Sequence, residues 1–169
     1  GWKLTKFLLN NEHATSADLP TLRRFQARLR ALARTAHADG KTLAARHEFL
    51  LRLARYDAEL KAISVMVERV AALEQDHSPS AHAMGSMLKI RGTELQQKMS
   101  EFLVESLGDY GAVAYPAPHA EPAQPRAALP MEETACGAAT EMFFRRATTI
   151  YGGTSEIQRS IIAKSLFQF

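Results

Sequence analysis

Phe49-Leu-Leu-Arg-Leu53-Ala-Arg-Tyr56-Asp-Ala-Glu-Leu60-Lys-Ala-Ile63-Ser-Val-Met-Val67-Glu-Arg-Val70 places an apolar residue at 49, 53, 56, 60, 63, 67 and 70. The steps alternate between four and three. That is the period of one helix face, and it persists too long for a strand. Asp76-His-Ser-Pro79 closes the run. Upstream, Leu22, Phe25, Leu29, Leu32 and Ala36 repeat at 3, 4, 3 and 4. Pro20 suits a first helical turn, with Ser16 or Asp18 placed to cap it. His37-Ala-Asp-Gly40 stops this helix, and the spacing predicts Gly40 as its left-handed C-terminal residue. Downstream, Leu88, Leu95, Met99 and Phe102 mark a further helix running to Leu107-Gly108. Gly92 inside it costs ~1 kcal/mol against Ala, which points to a close neighbour.

The ends of the chain carry shorter elements. Leu4, Phe7, Leu8 and Leu9 form a brief apolar stripe. Five of the seven prolines fall at 116, 118, 122, 125 and 130, so 115–130 reads as a Pro-rich mobile loop or strap. Structure resumes near Met131 and continues through Met142-Phe143-Phe144. A Gly152-Gly153 turn follows, and Thr154 or Ser155 caps a last helix bearing Ile157, Ile161, Ile162 and Leu166. Strand signals are nearly absent. The expected fold is all-α: an antiparallel four-helix-type bundle with extra short helices, forming one domain over 1–169.

Composition narrows the function classes. Of 169 residues, 46% are hydrophobic and 23% charged, which excludes a wholly disordered chain. No apolar run approaches the ~18 residues of a membrane span. The start, Gly1-Trp-Lys-Leu, has neither a signal-peptide pattern nor an initiator Met, and suggests a fragment or a processed chain. Net charge is +3, with the positive residues interleaved among Ala and Leu. Arg23, Arg24, Arg28, Arg30 and Arg34 could form a nucleic-acid face, but a solvated helix face is the plainer reading, so no nucleic-acid partner is expected. The single cysteine, Cys136, allows no internal disulfide and fits a reducing, cytoplasmic setting. The six histidines show no metal-ligand spacing, so no metal is expected.

Three strings are more specific. They are Arg146-Ala-Thr-Thr-Ile-Tyr-Gly-Gly-Thr-Ser-Glu-Ile-Gln-Arg-Ser-Ile-Ile-Ala-Lys164, Ser86-Met-Leu-Lys-Ile-Arg-Gly-Thr-Glu-Leu-Gln-Gln97 running on to Glu105-Ser-Leu-Gly108, and Gly1-Trp-Lys-Leu-Thr-Lys-Phe-Leu-Leu-Asn-Asn-Glu-His13. In this order they resemble the C-terminal helical domain of the acyl-CoA dehydrogenase family. The middle, 14–80, matches only in pattern. The resemblance implies an FAD-dependent α,β-dehydrogenation of an acyl-CoA thioester. In that family an N-terminal helical domain and a β-domain precede this bundle, and FAD and acyl-CoA lie between β-domain and bundle.

The chemistry needs a carboxylate to take the α-proton while the β-hydrogen leaves as hydride, with donors for the charge gathering on the thioester oxygen. In many members the base follows the Tyr of the final string; here that position is Gly152. A minority place it on the helix that opens the domain, where this chain has Glu12. The resemblance therefore implies Glu12 as base, with the alternative of an inert surface Glu. Gly152 keeps a backbone N–H for the thioester oxygen. Thr154 and Glu156 align with cofactor contacts, Glu156 where Gln is common. Tyr151 aligns with the acyl pocket, and Asn10 and His13 with contacts to the CoA tail. The Arg and Phe that usually grip a neighbouring subunit's FAD are replaced by Ala36 and Asp39, and a usual Gln by Glu105. That pattern is similar to unlike-subunit pairs, some acting on steroid side chains. Homo- or hetero-oligomers and electron-transferring flavoprotein as acceptor follow from the resemblance, as does the alternative of a catalytically degenerate structural subunit.

Overall fold

The computed structural model describes residues 15–113, 115 and 131–167. The first helix among the described residues, α1, spans Leu19–Thr35. Of the two candidate caps, Asp18 takes the role: it sits at φ 49° and its carboxylate accepts the Thr21 N–H at 3.3 Å. Leu22, Phe25, Leu29 and Leu32 are fully buried, as their spacing predicts.

The stop after α1 differs from the sequence expectation. The helix ends at Thr35, and Ala36 is already extended. Gly40 is left-handed at φ 73°, but it does not cap the helix. With Asp39 at φ 54° it forms the two-residue turn of a minimal antiparallel hairpin, β1 (His37–Ala38) against β2 (Lys41–Thr42). Asp-Gly favours such a turn because both central residues need positive φ. A short 3₁₀ turn, Leu43–Ala45, leads into α2, His47–Gln75.

On α2 the seam holds: Phe49, Leu53, Tyr56, Leu60, Ile63 and Val70 are buried, and Val67 packs partly buried against them. The helix ends in a Schellman arrangement. The Ser78 N–H donates to Leu73 O at 2.9 Å and the His77 N–H to Glu74 O at 3.1 Å, with His77 left-handed at φ 50°.

Helix α3, Ser80–Ser106, is the axis of the molecule: α1, α2 and the C-terminal helices all pack on it. Phe49 stacks tilted against Phe102 at 4.9 Å and Tyr56 meets Phe102 edge-on at 5.6 Å, joining α2 to α3. Gly92 has the close neighbour its position implied, since a Cβ there would lie 2.5 Å from Ala17 Cα.

A 3₁₀ turn, Gly108–Ala112, follows α3. Of the Pro-rich 115–130 only Tyr115 lies among the described residues. The chain then forms α4 (Glu132–Ala135), α5 (Ala138–Arg146), a 3₁₀ turn (Ala147–Thr149) and α6 (Ser155–Phe167). The three long helices with the α5–α6 segment laid along α3 make the expected all-α bundle.

Candidate functional site

Helix α3 carries two buried stripes of opposite chemistry. Leu88, Leu95, Met99, Phe102 and Leu103 face the apolar core. Ser86, Lys89, Thr93, Gln96 and Ser100 form a second stripe at steps of 3, 4, 3 and 4, and all five are buried. Buried polar groups require partners. Those of Lys89 and Gln96 come from the C-terminal segment and from the entry to α1. Gln96 donates to Ala17 O at 3.0 Å and accepts from Arg145 at 3.1 Å. Arg145, only 8% exposed, also donates to Glu141, lies 3.5 Å from the Asp18 carboxylate and stacks over Phe144 at 5.1 Å. One residue on, Gln97 donates to Arg145 O at 3.1 Å and to the Thr149 hydroxyl at 3.3 Å.

Lys89 leads to the turn between the 3₁₀ segment and α6. Its Nζ donates to Tyr151 O at 2.5 Å and also to Gly153 O. Gln158, on α6, donates to Gly152 O at 3.1 Å. Three consecutive carbonyls are thus tied down by two side chains, each over nine-tenths buried. Gly152 and Gly153 stand at φ 67° and 92°, where a side chain would be strained, and a Cβ on Gly153 would come within 2.7 Å of Gln158 Nε2. Among the described residues, nothing accepts from the N–H groups of Gly152, Gly153 or Thr154. Burial pulls the Lys89 ammonium below the ordinary lysine value.

Thr154, rather than Ser155, caps α6: its hydroxyl oxygen accepts the Ile157 N–H at 3.3 Å. The exposed Glu156 carboxyl is held below its usual range by its own backbone N–H, then by the Thr154 hydroxyl, with Arg159 adding a smaller pull. The Thr154 hydroxyl is therefore committed to the helix end, and its N–H is the group left open. Tyr151 is 52% exposed beside exposed Ile150 and Ile157. The last helix departs from its expected stripe. Ile157 and Leu166 are exposed, Ile161 and Ile162 are half-buried, and Gln158 is the buried residue. Phe143 and Phe144 are exposed too. The C-terminal segment thus leaves several large apolar side chains uncovered.

The structure brings Tyr151, Gly152, Thr154 and Glu156 together at one turn. Asn10, Glu12 and His13 lie outside the described residues. Ala36 and Asp39 lie at the hairpin, where the Asp39 carboxylate meets Arg46 at 3.4 Å. Glu105 is ion-paired with Arg52, whose guanidinium covers the Phe102 ring at 4.4 Å. Three of the five α1 arginines are engaged within the bundle: Arg24 with Glu141, Arg28 with Thr134 O, and Arg30 with Asp57. No cluster of three metal-ligating side chains occurs among the described residues, and none of their helices is long and apolar enough to cross a membrane. Sequence reading missed Lys89, Gln158 and Arg145. The polar stripe on α3, written at the same 3–4 spacing as the apolar one, was the available signal.

The model of the acyl-CoA dehydrogenase C-terminal domain matches residues 1–167, and the chain belongs to that family. The butyryl-CoA dehydrogenase of Megasphaera elsdenii superposes with a TM-score of 0.77 at 18% identity, covering 99% of this chain and 39% of that one. An acyl-CoA dehydrogenase of Geobacillus kaustophilus gives 0.77 at 20% identity, covering 98% and 39%. The ChsE4-ChsE5 complex of Mycobacterium tuberculosis gives 0.72 at 25% identity, covering 100% and 41%. The chain thus spans about two-fifths of the chains it resembles. No curated protein sequence matches it.

Proposed function

We propose that this chain is the C-terminal part of an FAD-dependent acyl-CoA dehydrogenase subunit, with Glu12 as the α-proton base. The observation that carries the reading is the turn at 151–154, where a side-chain-free Gly152 leaves its N–H open beside exposed Tyr151. In the proposed reaction the Glu12 carboxylate takes the α-proton. The Gly152 N–H donates to the thioester oxygen as that oxygen gathers charge. Tyr151 lines the acyl pocket, and Asn10 and His13 meet the CoA tail. FAD, when bound, supplies the acceptor for the β-hydride.

The residues at the turn fit a flavin edge. Exposed Ile150 and Ile157 offer apolar contact, and the Thr154 N–H is without an acceptor among the described residues. The hairpin does not fit the usual grip on a neighbouring subunit's cofactor, because Ala36 has no charge and Asp39 carries the opposite one. This favours assembly with an unlike subunit, and the uncovered Phe143 and Phe144 face supports association. Electron-transferring flavoprotein is the proposed acceptor, and a soluble cytoplasmic enzyme the proposed setting.

The test is dye reduction by acyl-CoA in the full-length protein with any subunit that copurifies. Glu12→Gln is expected to lower kcat by about 10²–10⁴-fold with flavin still bound. Unchanged turnover removes Glu12 from the mechanism. A purified assembly whose flavin belongs wholly to the other subunit supports the second reading, a structural partner, which the missing side chain at Gly152 favours.

A further inference from the structure

We propose that Lys89 and Gln158 are positioning residues for the reaction: by pinning the carbonyls of Tyr151, Gly152 and Gly153 inward they aim the following N–H groups, above all that of Gly152, outward at the thioester oxygen. The inference rests on the function proposed above and adds residues to its site.

The geometry follows from the peptide bond. The described chain has no cis peptide, so each carbonyl and the N–H of the next residue point in opposite directions. Tyr151 O and Gly153 O converge on Lys89 Nζ, which turns the N–H groups of Gly152 and Thr154 away from α3. Gly152 O is held by Gln158, which turns the Gly153 N–H away from α6. None of these three N–H groups has an acceptor among the described residues. A flexible glycine pair would otherwise sample many orientations, and misplacing a donor by ~1 Å can cost about 10²-fold in rate. The ammonium also acts through the peptide. A charge-assisted bond to Tyr151 O polarises the same amide that carries the Gly152 N–H and strengthens it as a donor.

Placement argues against a packing role alone. Taking an ammonium out of water is costly, and an apolar side chain would fill the same space at less cost. What an apolar residue would not do is fix two carbonyls that flank one glycine. A Cβ at Gly152 would sit 3.5 Å from Nζ, so the ammonium lies close against this glycine.

The experiment compares Lys89→Met, Lys89→Arg and Gln158→Met in the full-length protein, with and without acyl-CoA labelled with ¹³C at the thioester carbonyl. Lys89→Met is expected to keep flavin and KM within about threefold of wild type and to lose about 10²-fold in kcat. Infrared difference spectra should show the labelled carbonyl band moving to higher frequency, as expected when a donor is lost, and Lys89→Arg should move it back. Unchanged kcat and an unchanged band overturn the proposal. Where Lys89→Met does not fold, Gln158→Met decides: a lower kcat with a raised carbonyl band supports the clamp, and wild-type values for both overturn it. A wild-type protein that holds flavin yet reduces no dye with any acyl-CoA overturns the functional reading itself, and the clamp with it.

Discussion

The two buried stripes of α3 do different work. The Leu88–Leu95–Met99–Phe102 face closes a core with α1 and α2, in which Leu88, Leu95 and Met99 have no solvent exposure. The Ser86–Lys89–Thr93–Gln96–Ser100 face, through Lys89 and Gln96, holds a segment that leaves large apolar side chains outside: Ile157, Phe143 and Phe144 stay exposed while Arg145 and Gln158 are buried. One face supplies non-directional burial, the other directional bonds to chosen atoms. The hydrophobic effect fixes which helices pack together, whereas hydrogen bonds to single carbonyls fix how a turn is presented. A domain that must offer a turn to groups outside itself needs the second kind.

The contrast can be broken most severely at the apolar face. Leu95→Ala leaves a cavity among fully buried neighbours and should destabilise the chain by about 3–4 kcal/mol, read from urea unfolding. Breaking the polar face should cost less. Arg145→Leu strands Gln96 Oε1, but Glu141 keeps Arg24 at 3.0 Å, so a loss of about 2 kcal/mol is expected rather than the 3–5 of an isolated buried pair. A loss as large as that of Leu95→Ala would erase the distinction. At the outer surface, Ile157→Ser should change the stability of the chain by under about 0.5 kcal/mol, because its side chain is already exposed. A marked loss there would mean that α6 is part of the core.

The bundle was legible because its information is periodic. The seam from Phe49 to Val70 needs only residue spacing, and the structure buries all of it but Val67, which is partly buried. Gly92 was legible for a related reason, since a helix tolerates such a glycine only when something lies against it. The hairpin at 37–42 was not, because two-residue strands carry no alternation, and Asp39-Gly40 after a helix reads equally well as a cap. Tyr151, Gly152, Thr154 and Glu156 were singled out through a resemblance to a known string, and six consecutive positions hold them at one turn and the helix start after it. Lys89 escaped because a lysine at helical spacing reads as a solvated face. Its burial depends on carbonyls 62 and 64 residues away, which no local pattern encodes. Arg145 was hidden in the same way behind two exposed phenylalanines.

The most direct test of the central claim is anaerobic titration of the full-length protein, with its copurifying subunit if there is one, against acyl-CoA thioesters of varied chain. The account predicts that at least one of them bleaches the visible absorbance of the bound flavin in proportion to the thioester added. A preparation that carries flavin and keeps its colour against every acyl-CoA would contradict it.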